Sequence, residues 1–565
     1  MRRYHSPNNK AGFFTNFRIT PAFLFTQEKS TMHVLSTRLR GGAVAALSLG
    51  LLLCRALPAS AQFYPARGWG QNNAGQIGEG SPYGNDSEPQ QVLAGPTVLE
   101  ISTGGYHTLA LLGDGKIWTW GDNSAGELGN STPYSTGVPA PMQNFSNIRH
   151  VAAGGDFSLA VKNDGSVWAW GSNYSGSLGH GGFDNAVHSA PTVVNSLFQI
   201  TAVSAGSGHG MALEYDGYVY TWGFNLDGQL GTGDTTNYAY PGMVQGLNNV
   251  RQIAAGQYHS MALKNDGTVW MWGDNSAGQL GDGTKTNRYT PTQVVGLNNV
   301  VAIATNSNFS AALKNDGTVW MWGAFYSYNY TTTPSKITEL GFNNAQIAVG
   351  QAHILALDNQ GYLWTMGDNE YGQTGDPRAG TYQYPPRKLD KLYNVTAITA
   401  SYGVSFAITN SAHLSGNIRL DSISPSSSNK YDAHQSVTMI FRSPGQPDIT
   451  RYVGPGYAPF VQVDDLPRGA YTVYIKGNKW LQRIVNVDLS YYDATSLDVT
   501  LPAGDANNDN SVDSTDFGIL IGAFNTSYSI PGSGYDYTAD FNCDGSVDST
   551  DFGILIGNFN MVGDN

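Results

Sequence analysis

Two twelve-residue stretches near the C-terminus carry the side chains best suited to chemistry. The first is Asp505-Ala506-Asn507-Asn508-Asp509-Asn510-Ser511-Val512-Asp513-Ser514-Thr515-Asp516. It returns 35 residues later as Asp540-Phe541-Asn542-Cys543-Asp544-Gly545-Ser546-Val547-Asp548-Ser549-Thr550-Asp551. Side-chain oxygens fall at positions 1, 3, 5, 9 and 12 of each stretch: Asp505, Asn507, Asp509, Asp513 and Asp516, then Asp540, Asn542, Asp544, Asp548 and Asp551. The backbone carbonyls of Ser511 and Ser546 supply position 7. Hard oxygen donors at that spacing suit a calcium ion. Position 6 needs a sharp turn, which Gly545 provides and Asn510 tolerates. From Asp505 to Asn565 there are ten Asp and no Lys, Arg or Glu. Carboxylates ~4 Å apart repel by about 1 kcal/mol in water and about 4 kcal/mol at an effective dielectric of 20, so this segment is expected to need two Ca2+ ions to fold.

Each stretch is followed by Phe-Gly-Ile-Leu-Ile-Gly, which places Phe517, Leu520, Ile521 and Phe524, and again Phe552, Leu555, Ile556 and Phe559, at helical spacing. Two EF-hand-type loops, each feeding a helix, resemble a type I dockerin over roughly residues 504–560. That resemblance implies attachment to a cohesin-like protein, with Ser514, Thr515, Ser549 and Thr550 at the family's recognition positions. The run Asp-Ser-Thr-Asp-Phe-Gly-Ile-Leu-Ile-Gly is identical in both copies, so either copy is expected to serve. Gly518 and Gly553 depart from the resemblance and weaken the helices.

The rest of the chain is organised around Asn265-Asp266-Gly267-Thr268-Val269-Trp270-Met271-Trp272-Gly273 and its copies. Asp-Gly between apolar runs predicts a tight turn, and the run after it a strand. Trp-Gly pairs lie at Trp69, Trp120, Trp170, Trp222, Trp272 and Trp322, with Met366-Gly367 as a seventh, at steps of 51, 50, 52, 50, 50 and 44. A fixed period means a repeat architecture. One strand parity carries Trp118, Trp168, Tyr220, Trp270, Trp320 and Trp364, the other Ile117, Val167, Val219, Val269, Val319 and Leu363. Both faces must therefore be covered, as in the radially stacked sheets of a β-propeller. A first half such as Ile253 to Leu263 precedes each turn. The half at Trp69 has no such predecessor and the one at Ile398 no Trp-Gly successor, so the N-terminal strand is expected to complete the C-terminal blade and close the ring.

These alternating submotifs, Ile/Val-small-small-Gly-x-x-His-Ser/Thr-x-x-Leu and Trp-Gly-x-Asn-x-x-Gly-Gln-Leu-Gly (Trp272 to Gly281), resemble the RCC1 (regulator of chromosome condensation) repeat family of seven-bladed propellers over roughly residues 65–411. Members of that family serve as exchange factors, light sensors and an inhibitor of β-lactamases, so the fold does not fix the function. A formal net charge of −13, with no clustered Lys or Arg, argues against nucleic acid as partner.

Within the repeats His107, His209, His259 and His353 occupy equivalent positions, but Phe157, Phe309 and Val404 replace them elsewhere. That pattern predicts a packing role. Asp114, Asp164, Asp216, Asp266 and Asp316 precede a turn glycine and are read as turn formers. No Gly-x-Ser-x-Gly elbow, phosphate loop or His-Glu-x-x-His occurs. The connections after Gly-Gln-Leu-Gly vary and are rich in Tyr: Tyr134, Tyr238, Tyr240, Tyr289, Tyr382 and Tyr384. In the fifth repeat Phe325, Tyr326, Tyr328 and Tyr330 replace the usual motif. Such tyrosines are candidates for contact with an unknown protein or a glycan.

At the N-terminus Arg38 and Arg40 precede an apolar run from Gly41 to Cys54 and then Ala59-Ser60-Ala61. This reads as a secretory signal cleaved before Gln62, with Met32 as the expected start and no membrane span afterwards. Cleavage would leave Cys543 as the remaining cysteine and preclude an intrachain disulfide. Between His413 and Pro502, strand-like runs such as Ala470 to Ile475 alternate with turns and predict a small antiparallel β-sandwich. Its segment Asp465 to Val473 resembles carboxypeptidase-regulatory-like or Cna-B-like modules. The expected architecture is mainly β: an N-terminal extension and signal (1–61), a seven-bladed propeller (62–411), the sandwich (412–502) and a small α-helical calcium-binding dockerin-like domain (503–565). The function it suggests is that of a secreted, extracellular or cell-surface, non-enzymatic binding protein with a polysaccharide hydrolase or lyase as the alternative.

Overall fold

A computed structural model describes residues 65–80, 84–93, 97–325, 330–390, 392, 394–420, 437–444, 448–453, 460–467, 469–477, 480–489, 494–524, 526–527, 539–541 and 546–563. The signal segment, Cys54, Tyr326, Tyr328, Asn542, Cys543 and Asp544 lie outside these residues. Among the described residues no helix is long and apolar enough to cross a membrane.

Between residues 66 and 409 the strands form seven four-stranded antiparallel sheets. Six are built from consecutive strands: blade one spans 98–141, two 148–193, three 200–243, four 250–293, five 300–336 and six 344–388. The seventh joins the chain ends. Ala66–Gly70 lies between Asp86–Leu93 and Val404–Thr409, and Val395–Ser401 follows on the far side. Ring closure thus takes two strands from each terminus, where the sequence pointed to one N-terminal strand.

The repeated Trp-Gly explains the stacking. In each blade the outermost strand skips the Trp position, as between Met271 and Gly273, so the ladder bulges there. The six Trp residues preceding glycine are fully buried, and each indole Nε1 donates to a carbonyl of the preceding blade: Trp69 to Gln373 at 2.9 Å, and Trp120 to Gln76, Trp170 to Glu127, Trp222 to Ser177, Trp272 to Gln229 and Trp322 to Gln279 at 2.7–2.8 Å. The glycine after Trp272 has φ +103°, and a Cβ there would lie 2.6 Å from the Tyr258 carbonyl oxygen. No other residue fits that corner.

Tyr402, held at φ +44°, lines the cavity at the centre of the ring together with Ser207 and Gln257 of two other blades. That cavity, about 20 Å³, is lined mostly by small residues, among them Gly154, Gly206 and Gly256. It has room for water but not for an organic ligand.

Beyond the propeller, Ser411–Leu420 pairs antiparallel with Phe460–Pro467 and parallel with Ala494–Leu501, against a second sheet ordered Ile449–Val453, Val437–Arg442, Ala470–Gly477, Trp480–Asp488. The sandwich is antiparallel apart from that one ladder. Helix α1 (Ser514–Ala523) and helix α2 (Ser549–Gly557) follow. The sandwich does not end where the tail begins. Val437, Phe441, Val473, Ile475 and Trp480 share one continuous core with Val512, Leu520, Phe541, Val547 and Leu555.

Candidate functional site

Each tail helix begins on its own calcium-type loop. Asp513 caps α1, accepting from the Thr515 amide at 2.7 Å, while the Asp516 carboxylate reaches back to the Asp513 amide at 2.9 Å. Asp548 and Asp551 repeat this reciprocal cap on α2 at the same distances. Positions 9 and 12 of each loop therefore shape the helix start.

In the first loop, Asp505 Oδ1 accepts from the Asp509 amide and Oδ2 from the Asn510 amide, both at 3.0 Å. Asn507 Oδ1 accepts from Asp509, and Asp509 Oδ1 from Ser511, at 2.9 Å. Asn510 takes the required left-handed turn at φ +72°. Asp505, Asp516, Asp540 and Asp551 are buried, and burial pushes the Asp516 carboxyl above its usual range. Among the described residues, no group of three or more His, Cys, Asp or Glu side chains is arranged to hold a metal ion. The first loop's donor set is mixed, however: four carboxylates, the Asn507 amide oxygen and the Ser511 carbonyl, all hard oxygens on one tight loop. Two of its carboxylates are buried, where charge calls for a cation. These residues fit a calcium ion in composition and order; as described, their carboxylates are occupied with backbone amides.

The outer faces of the two helices match. Ser514, Thr515, Gly518 and Ile521 are exposed on α1, and Ser549, Thr550, Gly553 and Ile556 on α2. A Cβ at either glycine would meet no atom within 4 Å. Each helix thus offers a flat strip flanked by hydroxyls and one isoleucine. Leu520 and Leu555 are buried on the opposite side, and Phe517 packs on Phe552 at 5.8 Å between ring centres.

In the propeller, the polar motif residues serve the fold. Asn275 Oδ1 accepts from the Leu280 amide at 3.0 Å while its Nδ2 donates to loop oxygens, and Asn123 and Asn225 act alike. Asp266 accepts from the Thr268 amide and hydroxyl, as a turn former does. The histidines are fully buried and bridge neighbouring blades: Nε2 of His107 meets Ser158 Oγ at 2.9 Å, His209 meets Ser260 at 3.0 Å and His353 meets Ser405 at 2.8 Å. His259 bonds Thr305 and lies 3.4 Å from Ser310. Ser158, Ser260, Ser310 and Ser405 each donate onward to the carbonyl at the second position of the neighbouring Gly-x-Leu-Gly-type loop, that of Glu127, Gln229, Gln279 and Gln373. At His107, His209 and His353 the imidazole must therefore supply the proton at Nε2. For all four histidines Nδ1 is left without a partner. Burial drives the pKa down to about 4 for His107 and His259 and about 3 for His209 and His353. They are neutral structural groups, as the apolar replacements implied.

Residues 66–407 match the RCC1-like domain family, and residues 503–560 match the dockerin type I domain. The chain belongs to the RCC1-like family. Among curated relatives, the human probable E3 ubiquitin-protein ligase HERC3 is 35% identical over 217 residues, 38% of this chain and 20% of that protein. The Arabidopsis thaliana ultraviolet-B receptor UVR8 is 33% identical over 177 residues, 30% of this chain and 39% of that one. The chain thus spans only 20% and 39% of the length of these two relatives, and the activities in their names belong to them. Two solved structures share the fold: human WBSCR16 (TM-score 0.56, 23% identity, 61% of this chain and 98% of that one) and Prp20p of Saccharomyces cerevisiae (0.55, 23%, 62% and 92%). Dockerin type I domains in general bind calcium.

Against this RCC1-like frame, one sequence expectation is corrected. Phe325, read as a contact for a partner, is buried; it stacks edge-on to Phe309 with ring centres 5.1 Å apart, against Met366 and Ile354 in one core. The reason is visible in the next blade, where Met366 stands in place of Trp. Without an indole to dock, the Gly-Gln-Leu-Gly loop has no role there, and Phe325 fills the space. Tyr330 is exposed, with Lys285 over its ring at 4.4 Å. Tyr134 is exposed on its loop, but Tyr238, Tyr240, Tyr289 and Tyr384, expected on connections, stand exposed on the outermost strands of their blades, and Tyr382, at the start of such a strand, is half-buried.

The sequence reading missed Glu127. It occupies the Gln position of Gly-Gln-Leu-Gly and is 1% exposed. At the equivalent places Gln279 and Gln373 donate an amide proton to Asp274 and Asp368 at 2.7 and 2.8 Å. Glu127 faces Asp122 with a carboxyl instead, and burial, then the charges of Asp122 and Asp156, push its pKa up to about 7. The signal was in the alignment of the repeats, where Glu replaces Gln once.

Proposed function

We propose that the chain is a secreted, non-enzymatic binding protein. Its RCC1-like propeller recognises a protein or glycan through the exposed tyrosines of its outer strands and loops, and its dockerin tail, ordered by two calcium ions, attaches it to a cohesin-type partner or the cell surface. The observation that carries this reading is the duplicated face: Ser514, Thr515, Gly518 and Ile521 repeated as Ser549, Thr550, Gly553 and Ile556, each set exposed immediately after a calcium-type loop. An exposed isoleucine beside a glycine that permits close approach suits a flat protein surface. In the loops, Asp505, Asn507, Asp509, Asp513, Asp516 and the Ser511 carbonyl would hold the first ion, and the second-loop residues Asp540, Asn542, Asp544, Asp548, Asp551 and the Ser546 carbonyl the second. Calcium would supply charge compensation there. The non-enzymatic reading is supported by the propeller's motif Asn, Asp and His side chains, which are engaged in turns and blade contacts.

The test is capture of the full chain on a panel of recombinant type I cohesins, with calcium and with chelator. Calcium-dependent capture that survives Ile521→Asp or Ile556→Asp alone, and is lost when both are changed, is expected. Absence of capture by every cohesin while the tail helices remain folded in calcium would overturn the attachment reading. Turnover of a polysaccharide by the isolated chain would overturn the non-enzymatic one.

A further inference from the structure

Strand Ala470–Gly477 of the sandwich ends against the first tail loop. Lys476 Nζ donates to the Trp480 carbonyl at 2.8 Å and forms a close ion pair with Asp505 Oδ2. Asp505 is fully buried and Lys476 largely so. A second bond links the same two parts, for the Gln482 amide donates to Asn510 Oδ1 at 2.7 Å. The sandwich edge thus grips the loop at positions 1 and 6. The bridge between Trp480 and Ala503 and the Leu481 amide on the Pro502 carbonyl at 2.8 Å fix the approach.

A buried carboxylate is tolerated when a cation stands against it. For position 1 of this loop, a cation is already built into the chain. We propose that Lys476 is the internal counter-ion of Asp505: it holds the first loop in shape without calcium, and lowers that loop's calcium affinity by placing an ammonium beside the incoming ion. The inference rests on the calcium reading of the tail. It makes the sandwich a regulator of the loop, with the ammonium and calcium as alternative or competing partners for one carboxylate.

The experiment is calcium titration calorimetry and calcium-free thermal unfolding of the full chain carrying Asp540→Ala, which silences the second loop. Adding Lys476→Met, which keeps the aliphatic stem, is expected to tighten the remaining site roughly three- to tenfold and to lower the calcium-free melting temperature of the sandwich and tail. Lys476→Arg is expected to behave as the parent. With Asp505→Asn also present, Lys476→Met should no longer lower the melting temperature, because the charge it answers is gone. Unchanged or weakened calcium binding in Lys476→Met overturns the proposal, as does equal destabilisation with and without Asp505→Asn. No calcium uptake by the unmutated chain overturns the calcium reading itself. Uptake at two sites indifferent to Lys476 leaves that reading standing and removes this inference alone.

Discussion

The indole Nε1 of Trp69 donates to the carbonyl oxygen of Gln373 at 2.9 Å, joining residues 304 positions apart. It is the bond that the other five Trp-Gly pairs make between consecutive blades, used once more to lock the N-terminal strand onto blade six. Ser405 Oγ donates to the same carbonyl at 2.9 Å, and His353 bonds Ser405. Closure is therefore a three-residue relay of His, Ser and Trp converging on one oxygen.

Trp69→Ala is expected to cost about 3–5 kcal/mol of propeller stability, as for other fully buried large side chains. Trp69→Phe retains most of the volume but loses the N–H, and should cost about 1–2 kcal/mol. Trp364→Ala, at a half-buried site, should cost less than Trp69→Ala. Urea unfolding followed by tryptophan fluorescence gives the order, and equal midpoints for Trp69→Ala and Trp364→Ala would refute the closure role.

Acid should loosen the ring through its histidines. Their folded pKa values, about 3 to 4, lie below the unfolded value of 6.5. The unfolded chain then binds more protons over that interval, so each histidine contributes stability that is present above pH 6.5 and lost as pH falls towards 4. The slope is up to about 1.4 kcal/mol per pH unit for each. Melting temperature should fall steeply between pH 6.5 and 4.5, and less steeply in His353→Phe. The chain already shows the apolar version of this contact, because Phe309 faces Ile354 where His and Ser would stand. The double variant His353→Phe with Ser405→Ile should accordingly be less destabilised than the sum of its singles.

Glu127 gives the opposite pH dependence. Its folded pKa, about 7, exceeds the usual 4.5. The folded state holds the extra proton, so the contribution is fully present below pH 4.5 and lost as pH rises through 7. Glu127→Gln restores the amide that Gln279 and Gln373 give to their aspartates, and should stabilise the propeller by about 1–3 kcal/mol at pH 8. At pH 4.5 it should have almost no effect. A stabilisation independent of pH would mean that packing, not the carboxyl pair, is responsible.

The period of the Trp-Gly pairs makes the blades and their closure legible in the sequence, because a residue that must dock on its neighbour recurs wherever there is a neighbour. Asp and Asn at fixed loop spacing made the tail legible for the same reason: each residue type has one local task. What escaped were relations between repeats. Phe325 was misread because its meaning lies in Met366, one blade on. Glu127 passed unnoticed since a single Gln-to-Glu change matters through Asp122 and Asp156. The shared core of sandwich and tail joins Trp480 to Leu555, and no local pattern announces a contact between segments with different periodicities.

That shared core shapes the response to calcium removal. Val512, Leu520, Phe541, Val547 and Leu555 are packed with Val437, Phe441, Ile475 and Trp480, so loosening the loops withdraws apolar cover from the sandwich. Chelator is therefore expected to lower one common transition for sandwich and tail, while the propeller, which shares none of that core, keeps its own midpoint. Trp480 is fully buried in the coupled unit and reports on it: the difference in fluorescence between the parent chain and Trp480→Phe should follow the loss of helical circular dichroism as temperature rises in chelator. If the Trp480 signal and the helical signal separate into two transitions, the sandwich is an independent spacer and the coupling is refuted.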